Sequence, residues 1–218
     1  MRRYKNTANG IVYSLTLAKN YLMFTGIIEA TGTVSSIETD RGNVHFFIRS
    51  EMTSELKVDQ SIAHNGVCLT VVNIDEDIYK VTAIQETLDK TNLGKLKPSD
   101  KINLERSMAS NGRFEGHVVQ GHVDQVAMCK QLKEKDGSYV FQFEVKGGTD
   151  LIVEKGSICI NGISLTCFNV NDVSFEVAII PFTYEHTNMS QVKENDVVNL
   201  EFDILGKYVR KMMASQPR

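Results

Sequence analysis

Along most of this chain apolar and polar residues come in short β-type runs separated by turn residues. Gly32–Ile37, Val44–Ile48, Ser61–Ala63, Leu69–Ile74 and Tyr79–Ile84 are rich in Val, Ile, Phe and Thr, as strands are. Asp40-Arg41-Gly42-Asn43 and Asp75-Glu76-Asp77 supply turn signals between them. Two short helices are predicted among the strands. One is Met52–Lys57, capped by Thr53 or Ser54; the other is Leu104–Ser110, stopped by Asn111-Gly112. Strands at this spacing, with no long helices between them, predict an all-β barrel or sandwich. Only the tail departs. Asp203–Ala214 reads as a helix with Asp203 as N-cap and a stripe of Ile204, Leu205, Tyr208, Val209, Met212 and Met213. Lys207, Arg210 and Lys211 take its other side. Twelve residues containing Gly206 make a marginal isolated helix, so it must pack on its own barrel or on another subunit.

The pattern occurs twice. At a constant offset of 96, Ser61 falls on Ser157, Asn65-Gly66 on Asn161-Gly162 and Leu69-Thr70 on Leu165-Thr166. Farther on, Thr91-Asn92 falls on Thr187-Asn188 and Asn103-Leu104-Glu105 on Asn199-Leu200-Glu201. Near the start the offset slips to 95, pairing Gly26 with Gly121 and Glu29 with Asp124. A duplicated β domain explains this better than a solenoid, which needs three or more shorter units. The expected division is 23–113 and 114–205, with 206–218 forming the terminal helix and tail. Three departures between the copies stand out: Cys68 becomes Ser164, His64 becomes Ile160 and Glu86 becomes Phe182.

The 218 residues include 23% charged and 42% hydrophobic positions, the balance of a globular chain. A net charge of −3 gives no reason to expect a nucleic-acid partner. No apolar run approaches the roughly 20 residues of a membrane helix. Four cysteines (Cys68, Cys129, Cys159, Cys167) form no CxxC pair and no His/Cys cluster. No metal site and no disulfide framework are expected, and a reducing cytoplasm is the default location. Residues 1–22 carry four basic and no acidic residues. They are expected to be a disordered tail or a mis-assigned start before Met23, with an organelle-targeting peptide as the alternative.

The stretch HNGVCLTV, His64 to Val71, concentrates candidate chemistry. Asn-Gly reverses the chain cheaply, and on the strand that follows Cys68 and Thr70 share one face while Leu69 takes the other. Ser61 lies just upstream. A second polar concentration is GHVVQGHV, Gly116 to Val123. His117 and His122 would face opposite sides of a regular strand, which argues against a joint metal site. One imidazole at a pocket edge could pass protons, and His117 is expected to bond to backbone. No phosphate loop, Ser/His/Asp order or HExxH motif is present.

Taken together, MFTGIIE, HNGVCLTV, ETLDKTNLG, GHVVQGHVD and KGSICINGISLT resemble the riboflavin synthase family from Met23 to about Arg210. The resemblance implies two tandem six-stranded antiparallel Greek-key barrels and a C-terminal helix that assembles a homotrimer. It implies dismutation of two 6,7-dimethyl-8-ribityllumazine molecules per active site, without cofactor or metal, between the first barrel of one subunit and the second of its neighbour. Lumazine synthase is a further partner that it admits. By matching motifs, Cys68, Ser61, Thr70 and His122 are the expected catalytic residues. First-barrel substrate contacts would be Gly26, Ile27, Ile28, Cys68, Leu69, Thr70, Thr82, Ala83, Ile84, Gln85, Glu86, Thr87, Gly121, His122 and Val123. Second-barrel contacts would be Lys155, Ser164, Leu165, Thr166, Ile179, Ile180, Pro181, Phe182 and Thr183. Many family members have an acidic residue where this chain has Asn161 and Gly where it has Glu115. The alternative is a non-catalytic antenna-type protein that binds lumazine or flavin on the same fold. Such proteins typically lack the cysteine and the paired histidines kept here.

Overall fold

In a computed structural model, described for residues 23–109 and 111–215, both Asn-Gly pairs make the turns their chemistry favours. Asn65 (φ 48°) and Gly66 (φ 78°) join β3 (Ser61–His64) to β4 (Val67–Asp75). Asn161 (φ 46°) and Gly162 (φ 83°) join β9 (Ser157–Ile160) to β10 (Ile163–Phe168). Positive φ at both central positions matches the right-handed twist of the flanking strands.

The remaining strands of the first unit are β1 (Ala30–Asp40), β2 (Asn43–Arg49), β5 (Ile78–Ala83) and β6 (Lys101–Arg106). They close in the order β1-β2-β5-β4-β3-β6. The second unit has β7 (Gln125–Lys135), β8 (Ser138–Val145), β11 (Ser174–Ile179) and β12 (Val197–Phe202), and closes in the equivalent order with β9 and β10. All pairings are antiparallel, and β6 returns beside β3 in Greek-key fashion. The fold is therefore all-β, two tandem six-stranded barrels, as the resemblance implied. Inward positions form one core per barrel, around Ile48, Val71 and Tyr79 in the first and Phe143, Cys167 and Phe175 in the second.

Two helix expectations need correcting. Leu104–Ser110 is not a helix: Leu104, Glu105 and Arg106 end strand β6, where Ile102 and Leu104 alternate into the core with Asn103 and Glu105 opposite. The period of two outweighs helix propensity once both faces are buried. Met52–Lys57 shortens to a 3₁₀ turn over Glu51–Glu55 whose N-cap is Ser50, because Thr53 is itself buried. Two short helices follow strands without having been foreseen, α1 (Gln85–Lys90) after β5 and α2 (Pro181–His186) after β11. The terminal helix α3 (Ile204–Ala214) forms as expected, with the Asp203 carboxylate accepting the Leu205 N–H at 2.9 Å.

The barrels meet through six buried asparagines, the repeat pairs Asn65/Asn161, Asn92/Asn188 and Asn103/Asn199. Asn103 donates from Nδ2 to Asn188 Oδ1 (2.9 Å) and accepts the Asn188 N–H (2.7 Å). Likewise the Asn92 N–H donates to Asn199 Oδ1 (2.6 Å). Asn161 Oδ1 accepts from Asn92 Nδ2 (3.0 Å) and the Asn199 N–H (2.8 Å). These two acceptances are ones a carboxylate could also supply, whereas the Asn161 Nδ2 donation to Asn188 Oδ1 (3.4 Å) needs the amide. The turns touch at their glycines: a Cβ on Gly66 would stand 2.9 Å from the Gly162 nitrogen. The expectations for residues 1–22 lie outside the described residues.

Candidate functional site

Each closed barrel has a place where its wall opens. Strand β4 pairs with β3 from Val67 to Thr70 but with β5 only from Val71 onward. Beyond Val81, residues Thr82 and Ala83 pair only with β2. A slot is left between Cys68–Thr70 and the β5–α1 corner at Ile84–Thr87. In the second barrel β10 pairs with β9 from Ile163 to Thr166 and with β11 only at Cys167 and Phe168. Its slot lies between Ser164–Thr166 and Ile180–Thr183. Ile84, Ile180 and Phe182 are exposed on these rims, apolar surface suited to a flat ring.

The third side of each slot comes from a segment that crosses between the barrels. Phe24 and Val119 bridge the two crossing segments through paired backbone bonds. The Gly121 carbonyl accepts the Cys68 N–H at 2.9 Å, and Val123 packs against the first core. The Gly26 carbonyl accepts the Ser164 N–H at 2.8 Å, and Ile28 packs against the second core. Gly121–Val123 thus border the first slot. Gly26 and Ile28 do not: they border the second slot rather than the first, while Ile27 between them lines a cavity with Gln60, Glu105 and Arg106 on the first barrel's side. The chain order of these residues conceals the exchange, because each segment is contiguous with the barrel it does not complete. Both glycines have φ +78°, and a Cβ on Gly121 would lie 2.6 Å from Cys68 Cβ. Only glycine allows this approach.

At the centre of the first slot, Ser61 and Thr70 stand opposite each other across β3 and β4, and Cys68 stands opposite Ala63. All lie on the outer face of the barrel, away from the core. Burial pushes the Cys68 thiol up, against a hydrogen bond from Ser61 and in the same sense as the charge of Glu201. Cys68 is therefore a neutral thiol near pH 7, not a thiolate. His122 follows Gly121 and is exposed. Leu69 and Ala83 point into the core and can offer a ligand only backbone. Thr82 bonds to His45 (2.9 Å) on the outer surface, and Glu86 is paired with Lys90 (2.8 Å) along α1.

The second slot has a different centre. The His117 ring bonds through Nδ1 to the Ser164 hydroxyl at 2.7 Å, so its partner is a side chain rather than the expected backbone. Burial lowers the His117 pKa, with the charge of Asp203 opposing, which keeps the ring neutral near pH 7. Thr166 is exposed beside it, whereas Ile179 belongs to the core. Pro181 opens α2, and Phe182 stacks on His186 at 4.1 Å. Lys155 lies beside the end of β10, its N–H donating to the Cys167 carbonyl and its ammonium 5.4 Å above the Phe168 ring. Among the described residues no group of three or more His, Cys, Asp or Glu side chains could hold a metal ion.

Sequence reasoning assigned no role to Glu105 and Glu201. Glu105 accepts the N–H of Thr25 (2.6 Å) and Gly26 (3.0 Å). Glu201 accepts those of Gln120 (2.7 Å) and His122 (2.8 Å). The signal was the repeat itself, since Asn-Leu-Glu recurs at offset 96 in two strands where a buried acid needs a reason.

A family model of the lumazine binding domain matches residues 25–107 and again 120–203. A riboflavin synthase of Actinobacillus pleuropneumoniae is 40% identical over 199 residues, 89% of this chain and 92% of that protein. The Schizosaccharomyces pombe riboflavin synthase is 37% identical over 195 residues, 88% of this chain and 94% of its own. Among solved structures, LumP complexed with riboflavin superposes with a TM-score of 0.77 at 22% identity, covering 83% of this chain and 99% of that one. LumP complexed with 6,7-dimethyl-8-(1'-D-ribityl) lumazine gives 0.75 at 20% identity, covering 82% and 98%. With the lumazine binding domain present twice and such identity across nearly nine-tenths of its length, this chain belongs to the riboflavin synthase family.

Proposed function

We propose that this chain performs the family reaction with its two unlike slots, one for each of two 6,7-dimethyl-8-ribityllumazine molecules. The chain is a transferase of riboflavin biosynthesis. A four-carbon unit passes from one molecule to the other, giving riboflavin and 5-amino-6-(D-ribitylamino)uracil. The products together contain all atoms of the two substrates, so the exchange balances without an external oxidant or reductant. The observation that carries this reading is one slot built twice around different groups: Cys68 with Ser61 in the first, Ser164 with His117 in the second. Two identical reactants need similar sites, and their unlike fates need unlike chemistry.

The substrate's C7 methyl is acidic because its carbanion delocalises into the pteridine, so a weak base suffices. Cys68, Ser61, Thr70 and His122 handle protons and polarise the ring at the first slot, with Cys68 as a neutral thiol. Holding both rings in a reactive pose supplies roughly 7–11 kcal/mol of the barrier. The working assembly is a homotrimer in which the first slot of one subunit faces the second slot of a neighbour. What supports it is α3, which has no buried residue and whose Leu205, Tyr208, Met212 and Met213 are 64–70% exposed. Only its first turn is tied down, by Lys207 to Asp124 at 2.5 Å. An apolar stripe this bare wants a partner.

Purified protein mixed with the lumazine is expected to generate riboflavin absorbance. Binding without riboflavin would favour the antenna-type reading. Chain ending at Asp203 is expected to sediment as monomer with little activity, and a fully active monomer would refute the shared site.

A further inference from the structure

Glu105 and Glu201 hold equivalent places on β6 and β12, and both are buried. Strand alternation turns each away from its own core, where Leu104 and Leu200 point. A buried carboxylate needs donors, and here nearly all of them come from the crossing segments. Glu105 accepts from the Thr25 N–H (2.6 Å), the Thr25 hydroxyl (2.8 Å) and the Gly26 N–H (3.0 Å). The carbonyl of that same Gly26 receives the Ser164 N–H of the other barrel (2.8 Å). Glu201 accepts the Gln120 and His122 N–H groups (2.7 and 2.8 Å). The carbonyl between those two residues, Gly121, receives the Cys68 N–H of the first barrel (2.9 Å).

We propose that Glu105 and Glu201 are crossed positioning residues: each carboxylate sets the segment that walls the opposite barrel's slot. The geometry at Ser164 is governed from the first barrel, and the geometry at Cys68 from the second. The contacts leave little slack. A Cβ on Gly26 would stand 2.7 Å from Ser164 Cβ, and one on Gly121 2.6 Å from Cys68 Cβ, so each segment rests in hard contact with the slot it borders. A small shift of either segment changes slot width and, on the first side, moves His122. Burial pushes both carboxyls up while the N–H donors oppose it, joined by the Thr25 hydroxyl at Glu105 and by the charge of Lys207 at Glu201. The function proposed above enters only in that the slots hold substrate.

The test is hydrogen exchange on the full-length, unliganded protein in its native assembly, read at the Cys68 and Ser164 amides. Glu201→Gln keeps the shape but presents an NH2 group to one of two N–H donors. It is expected to speed exchange at Cys68 about tenfold and leave Ser164 unchanged. Glu105→Gln is expected to do the reverse. Thr25→Val, which removes only the hydroxyl donor, keeps the proposal testable if an acid variant fails to fold. It is expected to speed exchange at Ser164 about threefold and not at Cys68. Turnover at saturating lumazine falls about tenfold in both acid variants, through position rather than affinity. Equal acceleration of both amides, acceleration on the acid's own side, or no change at either amide would overturn the proposal. Because exchange is read without ligand, failure of the function itself would leave the crossed pattern intact.

Discussion

The two barrels share their strand order and their Asn-Gly turns, yet differ inside and outside in separate ways. Inside the first barrel, His64 Nε2 bonds to the Tyr79 hydroxyl at 2.9 Å and Nδ1 to the Ile62 carbonyl at 3.0 Å. The corresponding pair in the second barrel is Ile160 and Phe175, both fully buried and apolar. A hydrogen-bonded polar pair and a hydrophobic pair of similar volume thus fill one position, as core packing permits if every polar group is satisfied. Outside, Ser61 is buried beside Cys68 whereas its counterpart Ser157 is exposed, and Ser164 turns to His117 instead. Inner differences exchange one way of filling space for another. Outer differences change what a bound ring meets.

Acid is the strongest way to separate the barrels. Burial holds the His64 pKa down at about 4 against an ordinary 6.5. The unfolded chain therefore takes up this proton as pH falls below 6.5, while the folded chain refuses it until about 4. Stability from this group is complete above 6.5 and declines by about 3 kcal/mol by pH 4. Urea unfolding across that range should show the decline, and the double swap His64→Ile with Tyr79→Phe should flatten it. An unchanged slope in the swap would remove His64 as the cause.

Activity should separate the slots almost as strongly. Cys68→Ala is expected to lower kcat about 100-fold and Ser164→Ala about tenfold, measured as riboflavin formation. Equal losses would break the asymmetry between them. At the interface, Asn103→Ala deletes bonds to Asn161 and Asn188 and should cost about 2 kcal/mol in chemical denaturation. Asn199→Ala should match it within error if the pseudo-symmetry is energetic as well as geometric. The smallest effect belongs to Tyr139 and Tyr184, stacked at 3.6 Å where the first barrel has Val44 and Leu88. Tyr184→Leu should cost about 1 kcal/mol of thermal stability and leave the first barrel's exchange pattern unchanged.

Most of the strands were readable because their alternation is local: side chains of period two announce a buried face whatever the partner. The same holds for the Asn-Gly turns, for Asp203 as a cap, and for Cys68 and Thr70 on one face with Leu69 on the other. The helix predicted at Leu104–Ser110 failed because the outer face of this stretch is buried by a contact 80 positions away, between Glu105 and Thr25, which leaves no local pattern. His117 was unreadable in the same sense, since its partner Ser164 lies 47 positions on.

By itself the sequence determined that one β unit is used twice and that the copies differ at Cys68 and Ser164. Turn chemistry, alternation and a repeat register are properties of neighbouring residues and need no partner to be seen. Only the tertiary structure decided which segment completes which slot, sending Gly26 to Ser164 and Gly121 to Cys68. That choice depends on the docking of two closed barrels through buried asparagines and touching glycines, and such packing leaves no periodic trace along the chain.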